Sequence, residues 1–302
     1  MCGIVGLFAK TPALEERLGA LLSEMLVEMT DRGPDSAGVA LYRRPVEAGQ
    51  VKVSIFDPEP EADWPALRDA LDATFGCAPE FEVRGTHGVF TLGGEATAIR
   101  AYLAAERPDL RLMSAGTAIE IFKEKGLPAS VIERFDLTRV SASHAIGHTR
   151  MATESAVTTS HSHPFTTGLD LCLVHNGSLS NHNRLRRELA RHGVSFETDN
   201  DSEVAAGYLT WRLAQGDDIE AALAAAVRDL DGFYTFAVGT AQGFSVLRDP
   251  IACKHAVLAE SDDWVAMATE YRSIATLPGA EAARIWEPKP GRVYSWGRAG
   301  HA

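Results

Sequence analysis

The chain has 302 residues, 45% hydrophobic and 23% charged, and carries a net charge of −12. That size and balance fit a globular protein of one large or two ordinary domains, and the acidity argues against a broad nucleic-acid surface. No apolar run reaches the roughly 18–20 residues of a membrane span. The start lacks the basic region and apolar core of a secretory signal. Cys2, Cys77, Cys172 and Cys253 form no CxxC pair, so neither disulfides nor a zinc site is expected and the compartment reads as reducing and cytoplasmic.

Met1-Cys2-Gly3-Ile4-Val5-Gly6-Leu7-Phe8 opens the chain. With Met1 removed, Cys2 has a thiol beside a free α-amine, whose ordinary pKa of about 7.7–8.0 suits a base at neutral pH. The alternative is a buried cysteine that happens to follow Met. Ile4 to Phe8 reads as a buried strand, and Gly3 as a point where backbone comes close to a substrate. Leu14, Leu18, Leu21, Leu22, Met25, Leu26 and Met29 predict one helix from about Pro12 to Met29. A turn over Asp31 to Gly38 precedes a strand at Val39–Tyr42. Arg32 and Asp35 in that turn either pin the loop or shape a pocket around Cys2.

Residues 45–140 carry no motif with evident chemistry. Strands are expected at Val51–Phe56, Phe81–Leu92 and Leu110–Met113. Helices are expected at Trp64–Phe75, Ala96–Glu106 and Thr117–Lys125. The alternation suggests an inserted α/β subdomain.

In Ala145 to Thr153, an extended segment puts His148 and Arg150 on one face. Arg150 suits a substrate carboxylate, by a bidentate pair of hydrogen bonds, or a structural ion pair. His148 is grouped with it as substrate-binding. His161 and His163 lie in a loop read as pocket lining, with His163 a supporting residue; no metal is expected there. Leu169–His175 reads as an apolar strand ending at Asn176-Gly177. That pair is either a turn or the two donors of an oxyanion hole. A helix follows over Asn181–His192. Asn200 with Glu203 reads as a capping-box variant opening a helix to about Leu213. Asp201 either suits that helix dipole or binds a substrate ammonium. Beyond a helix at Ile219–Leu230, strands at Phe233–Gly239, Phe244–Arg248, His255–Glu260, Trp264–Thr269 and Arg292–Trp296 suggest a large antiparallel sheet under helices.

Taken in order, Cys2-Gly3-Ile4-Val5-Gly6, Arg32-Gly33-Pro34-Asp35-Ser36, Gly147-His148-Thr149-Arg150, His175-Asn176-Gly177 and Asp201-Ser202-Glu203 resemble the class II glutamine amidotransferases, whose nucleophile is an N-terminal cysteine. Arg248-Asp249-Pro250 and Ala268-Thr269-Glu270 also look like that family. The resemblance implies an α+β fold: a four-layer αββα Ntn-hydrolase sandwich over 2–302, with the 45–140 subdomain inserted. It implies Cys2 as nucleophile, Asn176 and Gly177 as oxyanion hole, and Arg150 and Asp201 as grips for the α-carboxylate and α-ammonium of L-glutamine. Met151 departs from the aromatic residue that relatives often have there. No cofactor is expected. The implied ammonia consumer is a separate polypeptide. Standalone chains of this pattern look like the amidotransferase subunit of glutamate synthase-like systems, including N-methylglutamate synthase, with GXGXG-motif and FMN-binding partners.

Overall fold

The computed structural model describes residues 2–59, 62–152 and 157–297. In chain order the elements are β1 (Gly3–Ala9), α1 (Pro12–Glu15), α2 (Leu18–Val27), β2 (Ser36–Tyr42), β3 (Gln50–Phe56), α3 (Trp64–Phe75), β4 (Glu80–Arg84), β5 (His87–Gly93), α4 (Ala96–Glu106), β6 (Arg111–Gly116), β7 (Ile119–Lys125) and α5 (Pro128–Arg134). They continue as β8 (His144–Arg150), β9 (Cys172–Leu179), α6 (His182–Arg191), α7 (Asp201–Ala214), α8 (Ile219–Asp229), β10 (Gly232–Thr240), β11 (Gly243–Arg248), β12 (Val257–Glu260), β13 (Trp264–Ala268), α9 (Tyr271–Ile274), β14 (Arg284–Trp286) and β15 (Val293–Gly297).

The strands form a seven-stranded sheet, β14-β12-β13-β1-β8-β2-β7, and a four-stranded sheet, β15-β11-β10-β9. Period-two alternation sorts each strand between two cores. Ile4 and Phe8 of β1 face the inter-sheet core with Val174, Ala237, Phe244 and Val246. Val5 and Leu7 face Leu21, Leu22, Met25 and Leu26 of α2 on the outer side. The outer face of the smaller sheet packs Leu173, Phe236 and Val238 against Leu185, Leu189, Leu209 and Leu223 of α6, α7 and α8. The layers therefore run α, β, β, α. The late strands, read from their spacing as one large sheet, divide between two sheets stacked face to face, as in the expected αββα sandwich.

A third sheet, β4-β5-β3-β6, has its own core with α3 and α4. Its other face lies on β7, the edge of the seven-stranded sheet. Ile121 N–H of that edge donates to Ser54 Oγ at 3.2 Å, and Lys52 Nζ meets the buried Glu120 at 3.0 Å. The edge strand is thereby covered rather than left open.

Two element expectations change. Thr117–Lys125 is not a helix: Ile119 and Ile121 point to the inter-sheet core and Phe122 to the opposite one. That alternation, with pairing to β2, outweighs the helix preference of its Glu and Lys residues. The Pro12–Met29 helix breaks at Glu16 and Arg17, where Gly19 N–H turns to the Val140 carbonyl at 3.0 Å. Among the described residues no helix is long and apolar enough to cross a membrane.

Candidate active site

A cleft of about 640 Å³ opens where β1 begins and β8 ends, beside the later residues of β9, and Cys2, Arg150, Asn176, Gly177 and Asp201 all line it. Cys2 sits at the mouth of β1, its Sγ 3.9 Å from the Met151 carbonyl. The Cys2 carbonyl accepts from Arg32 Nε and from Asn176 Nδ2, both at 3.2 Å. Arg32 is in turn ion-paired with Glu270. Next along the strand, Ile4 N–H donates to Thr269 Oγ1 at 2.8 Å and Ile4 O accepts from Thr269 N–H at 2.9 Å. The nucleophile candidate is thus anchored from three directions. Gly3 makes its close approach to the side chains of Met29 and Thr149, not to the cleft.

Arg32 thus bonds the backbone of Cys2 without being one of the residues that line the cleft. Asp35 works on the segment beside Cys2: its Oδ2 accepts from Ala152 N–H at 2.8 Å, and its own N–H donates to the Arg150 carbonyl at 3.1 Å. It pins the segment that carries Arg150 out of β8.

Asn176-Gly177 is not a turn at a strand end; β9 runs on to Leu179. Gly177 adopts φ +152°, and a Cβ there would collide with the Phe233 carbonyl and crowd His175 Nε2. Asp201 Oδ2 accepts from Leu179 N–H at 2.9 Å, and its other oxygen lies 3.6 Å from His175 Nδ1. Burial raises the Asp201 pKa, but His175, the Leu179 N–H and His182 more than offset this and hold it at about 2. At 3.6 Å the His175 contact is too long for a hydrogen bond; the direct ones come from the Leu179 N–H and, at 3.3 Å, from Ser202 Oγ to Oδ1. Asn200 caps α7 through Ser202 N–H at 2.8 Å. Glu203 does not complete the capping box; it accepts from Glu197 N–H, Thr198 N–H and Thr198 Oγ1 and shapes the loop before the helix.

His148 departs from its expected place. It shares a face with Arg150, but it is 1% exposed and, among the described residues, is not one that lines the cleft. It lies against His163, ring centroids 4.0 Å apart, and its Nε2 donates to the His175 carbonyl at 3.2 Å. His163 lines the cleft; its Nδ1 accepts from His175 N–H and its Nε2 meets Ser202 Oγ, each at 3.2 Å. Burial pushes the His148 pKa down to about 3, and burial with the neighbouring His148, His175, Lys123 and Arg150 pushes His163 well below its usual value.

Sequence reasoning assigned no role to Thr269 or Glu270, or to Ser202, Phe233 and Lys254 in the lining of the cleft. Thr269, Glu270 and Ser202 lie in motifs already noted; Phe233 and Lys254 do not. A second cavity of about 380 Å³, between Arg100, Arg111, Lys123 and Trp211, contains no cysteine. Among the described residues no group of three or more His, Cys, Asp or Glu could hold a metal ion.

A family model described as a glutamine amidotransferase domain matches residues 148–276. Along nearly its whole length the chain is 58% identical to the glutamine amidotransferase-like protein GlxB of Rhizobium meliloti (strain 1021), with 98% of each chain covered. It belongs to the class II glutamine amidotransferases. A shorter stretch of this amidotransferase, 32% of its length, is 42% identical to the glutamine–fructose-6-phosphate aminotransferase (isomerizing) of Xylella fastidiosa (strain 9a5c), covering 16% of that protein. The fold matches that of the glutamine phosphoribosylpyrophosphate amidotransferase from B. subtilis at TM-score 0.62 and 19% identity, over 99% of this chain and 48% of that one. The amidotransferase therefore spans about half of that structure. Together with the layer order above, this is the four-layer αββα Ntn-hydrolase sandwich.

Proposed function

We propose that this amidotransferase hydrolyses L-glutamine at Cys2 and passes the ammonia to a separate synthase subunit. The observation that carries the reading is the convergence of one thiol, two oxyanion donors and two opposite charges on a single cleft. With Met1 removed, the Cys2 α-amine takes the thiol proton and Sγ attacks the side-chain carbonyl carbon of glutamine. Asn176 Nδ2–H and the Gly177 N–H hold the resulting oxyanion. The C–N bond breaks as the ammonium form of the amine protonates the leaving nitrogen. A γ-glutamyl thioester remains, which water cleaves to glutamate and free Cys2. Arg150 takes the α-carboxylate by a bidentate pair and Asp201, ionised at neutral pH, the α-ammonium.

The partner assignment rests on the resemblance to amidotransferase subunits of glutamate synthase-like and N-methylglutamate synthase systems, with GXGXG-motif and FMN-binding subunits. We place partner docking on the inserted subdomain expected within 45–140. Its separable part is β3 to β6 with α3 and α4, since β7 and α5 are built into the main sheet and its helical layer. Val46 N–H and the Thr117 carbonyl are 3.0 Å apart, so residues 47–116 can be excised at adjacent ends.

The deciding experiment measures glutamate release by wild type and Cys2→Ala, alone and in extract of the source organism, with the mature N-terminus read by intact mass. Cys2-dependent release is expected. Processed protein that releases none under either condition overturns the glutaminase reading. Capture from the extract is expected to bring down a flavin-bearing protein, and excision of 47–116 to weaken that capture more than it weakens hydrolysis. Equal loss of both overturns the docking assignment.

A further inference from the structure

Among the described strands β9 lies at an edge, paired with β10 and otherwise bridged only by Phe165 at Leu173. In an antiparallel ladder, the N–H and C=O of alternate residues point to the unpaired side. On β9 these residues are Leu173, His175, Gly177 and Leu179. Leu173 is closed by backbone: its N–H and C=O bond Phe165 at 2.8 and 2.9 Å. Leu179 N–H is closed by the Asp201 carboxylate. Gly177 lines the cleft. At His175, immediately before the two oxyanion donors, both peptide groups are taken by imidazoles. His163 Nδ1 accepts the N–H and His148 Nε2 donates to the C=O.

We infer that His148 and His163 are positioning residues: a stacked imidazole pair that stands in for the missing neighbouring strand at His175 and thereby aims Asn176 and Gly177 at the oxyanion. The inference deepens the glutaminase reading and rests on it.

The pair works only in one protonation pattern. His163 Nδ1 must be bare to accept an N–H, so its proton sits on Nε2, against Ser202 Oγ. His148 must carry its proton on Nε2 to donate to a carbonyl. A second proton on His163 would set N–H against N–H and open the clamp. Burial in the stack keeps both rings neutral. The charged and titratable neighbours are Arg150 on β8, Lys123 on β7, His175 on β9 and Asp201 at the start of α7.

Carboxamides separate this role from packing. The Asn amide reaches the place of a ring Nδ1, and the Gln amide the place of Nε2. His148→Gln and His163→Asn therefore keep the bond to the His175 peptide, whereas His148→Asn and His163→Gln lose it. Glutamine kinetics are expected to show kcat lowered by on the order of 10²–10³ in the second pair, the cost of a misaimed oxyanion donor, with KM within a few-fold. The first pair is expected to stay within about tenfold of wild type, His163→Asn being the lower because it loses Ser202. Four variants alike, or a change confined to KM, overturn the inference. Nitrogen-15 NMR of the imidazoles tests it without turnover: both rings are expected neutral and protonated on Nε2 at pH 6. A proton on Nδ1, or a charged ring, overturns it even in an active enzyme. A wild type with the expected ring signals but no glutamine turnover strikes the glutaminase reading and leaves the clamp standing.

Discussion

Three histidines are folded into this protein without charge, and acid should unfold it through them. His87, His148 and His163 are at most 5% exposed. Burial, aided at His87 by Lys123, lowers the first to about 3; burial lowers His148 to about 3 and, with the neighbouring His148, His175, Lys123 and Arg150, holds His163 well below its usual value. In the unfolded chain each titrates near 6.5. Below that pH the unfolded state binds protons that the folded state refuses, so stability is complete above about 6.5 and declines as the pH falls toward the folded values. Each histidine takes away about 1 kcal/mol per pH unit near pH 5.5, or about 2 kcal/mol between pH 7 and 5. Three together remove about 6 kcal/mol, comparable to the roughly 5–15 kcal/mol that holds a typical domain. Asp201, held at about 2, adds to the loss only below about pH 4. The assay is urea unfolding at pH 7, 6 and 5. His87→Phe isolates one of the three away from the cleft. The ring sits among Phe56, Phe122 and Phe135, with centroids 5.3, 5.8 and 4.9 Å away. Whatever repacking does to the stability at pH 7, the fall from pH 7 to 5 should shrink by about 2 kcal/mol. An unchanged fall would refute the claim that His87 is buried neutral.

Asp35→Ala frees the Ala152 N–H and loosens the segment after Arg150; loss of a charged acceptor, about 1.5–3 kcal/mol, should raise KM for glutamine roughly 10- to 150-fold and kcat little. Steady-state kinetics check this, and an effect on kcat alone would contradict it. Gly177→Ala drives a Cβ into the Phe233 carbonyl and should lower kcat by at least the order of 10² expected for a lost oxyanion donor. Lys52→Met strips the buried Glu120 of its nearer cation while Arg43 remains at 3.3 Å. The cost should fall below the about 3–5 kcal/mol of an unpaired buried charge. Adding Glu120→Leu should recover most of it in thermal denaturation, and a double mutant as unstable as the single one would refute the pairing argument.

Elements with an apolar period were readable from the chain. β1, α3, β5, α4, α7 and β10 to β13 each carry enough buried residues at one spacing to fix type and position. β7 was not, because Ile119-Glu120-Ile121-Phe122-Lys123-Glu124-Lys125 satisfies a strand only when β2 and the β4-β5-β3-β6 sheet supply two partners. β14, three residues long, has no period at all and exists through its pairing with β12. α5 was missed: its seven residues are too few for a helical period to stand out, and it exists by packing on α2. The site divides the same way. Cys2, Arg150, Asn176 and Asp201 stand out by chemical type, and the cleft gathers them. Alternation likewise put His148 on the face of Arg150, but alternation gives direction and not depth. Two residues deeper along β8, the side chain meets the edge of β9 instead of solvent. What that edge needs at Leu173, His175 and Leu179 is a sequence of partners drawn from Phe165, His163, His148 and Asp201. Those residues are scattered over three segments of chain, and each was plausible elsewhere on its own. An open strand edge must find donors and acceptors somewhere. Here side chains close it on both sides of Gly177, and the peptide that lines the cleft lies between its neighbours' bonds.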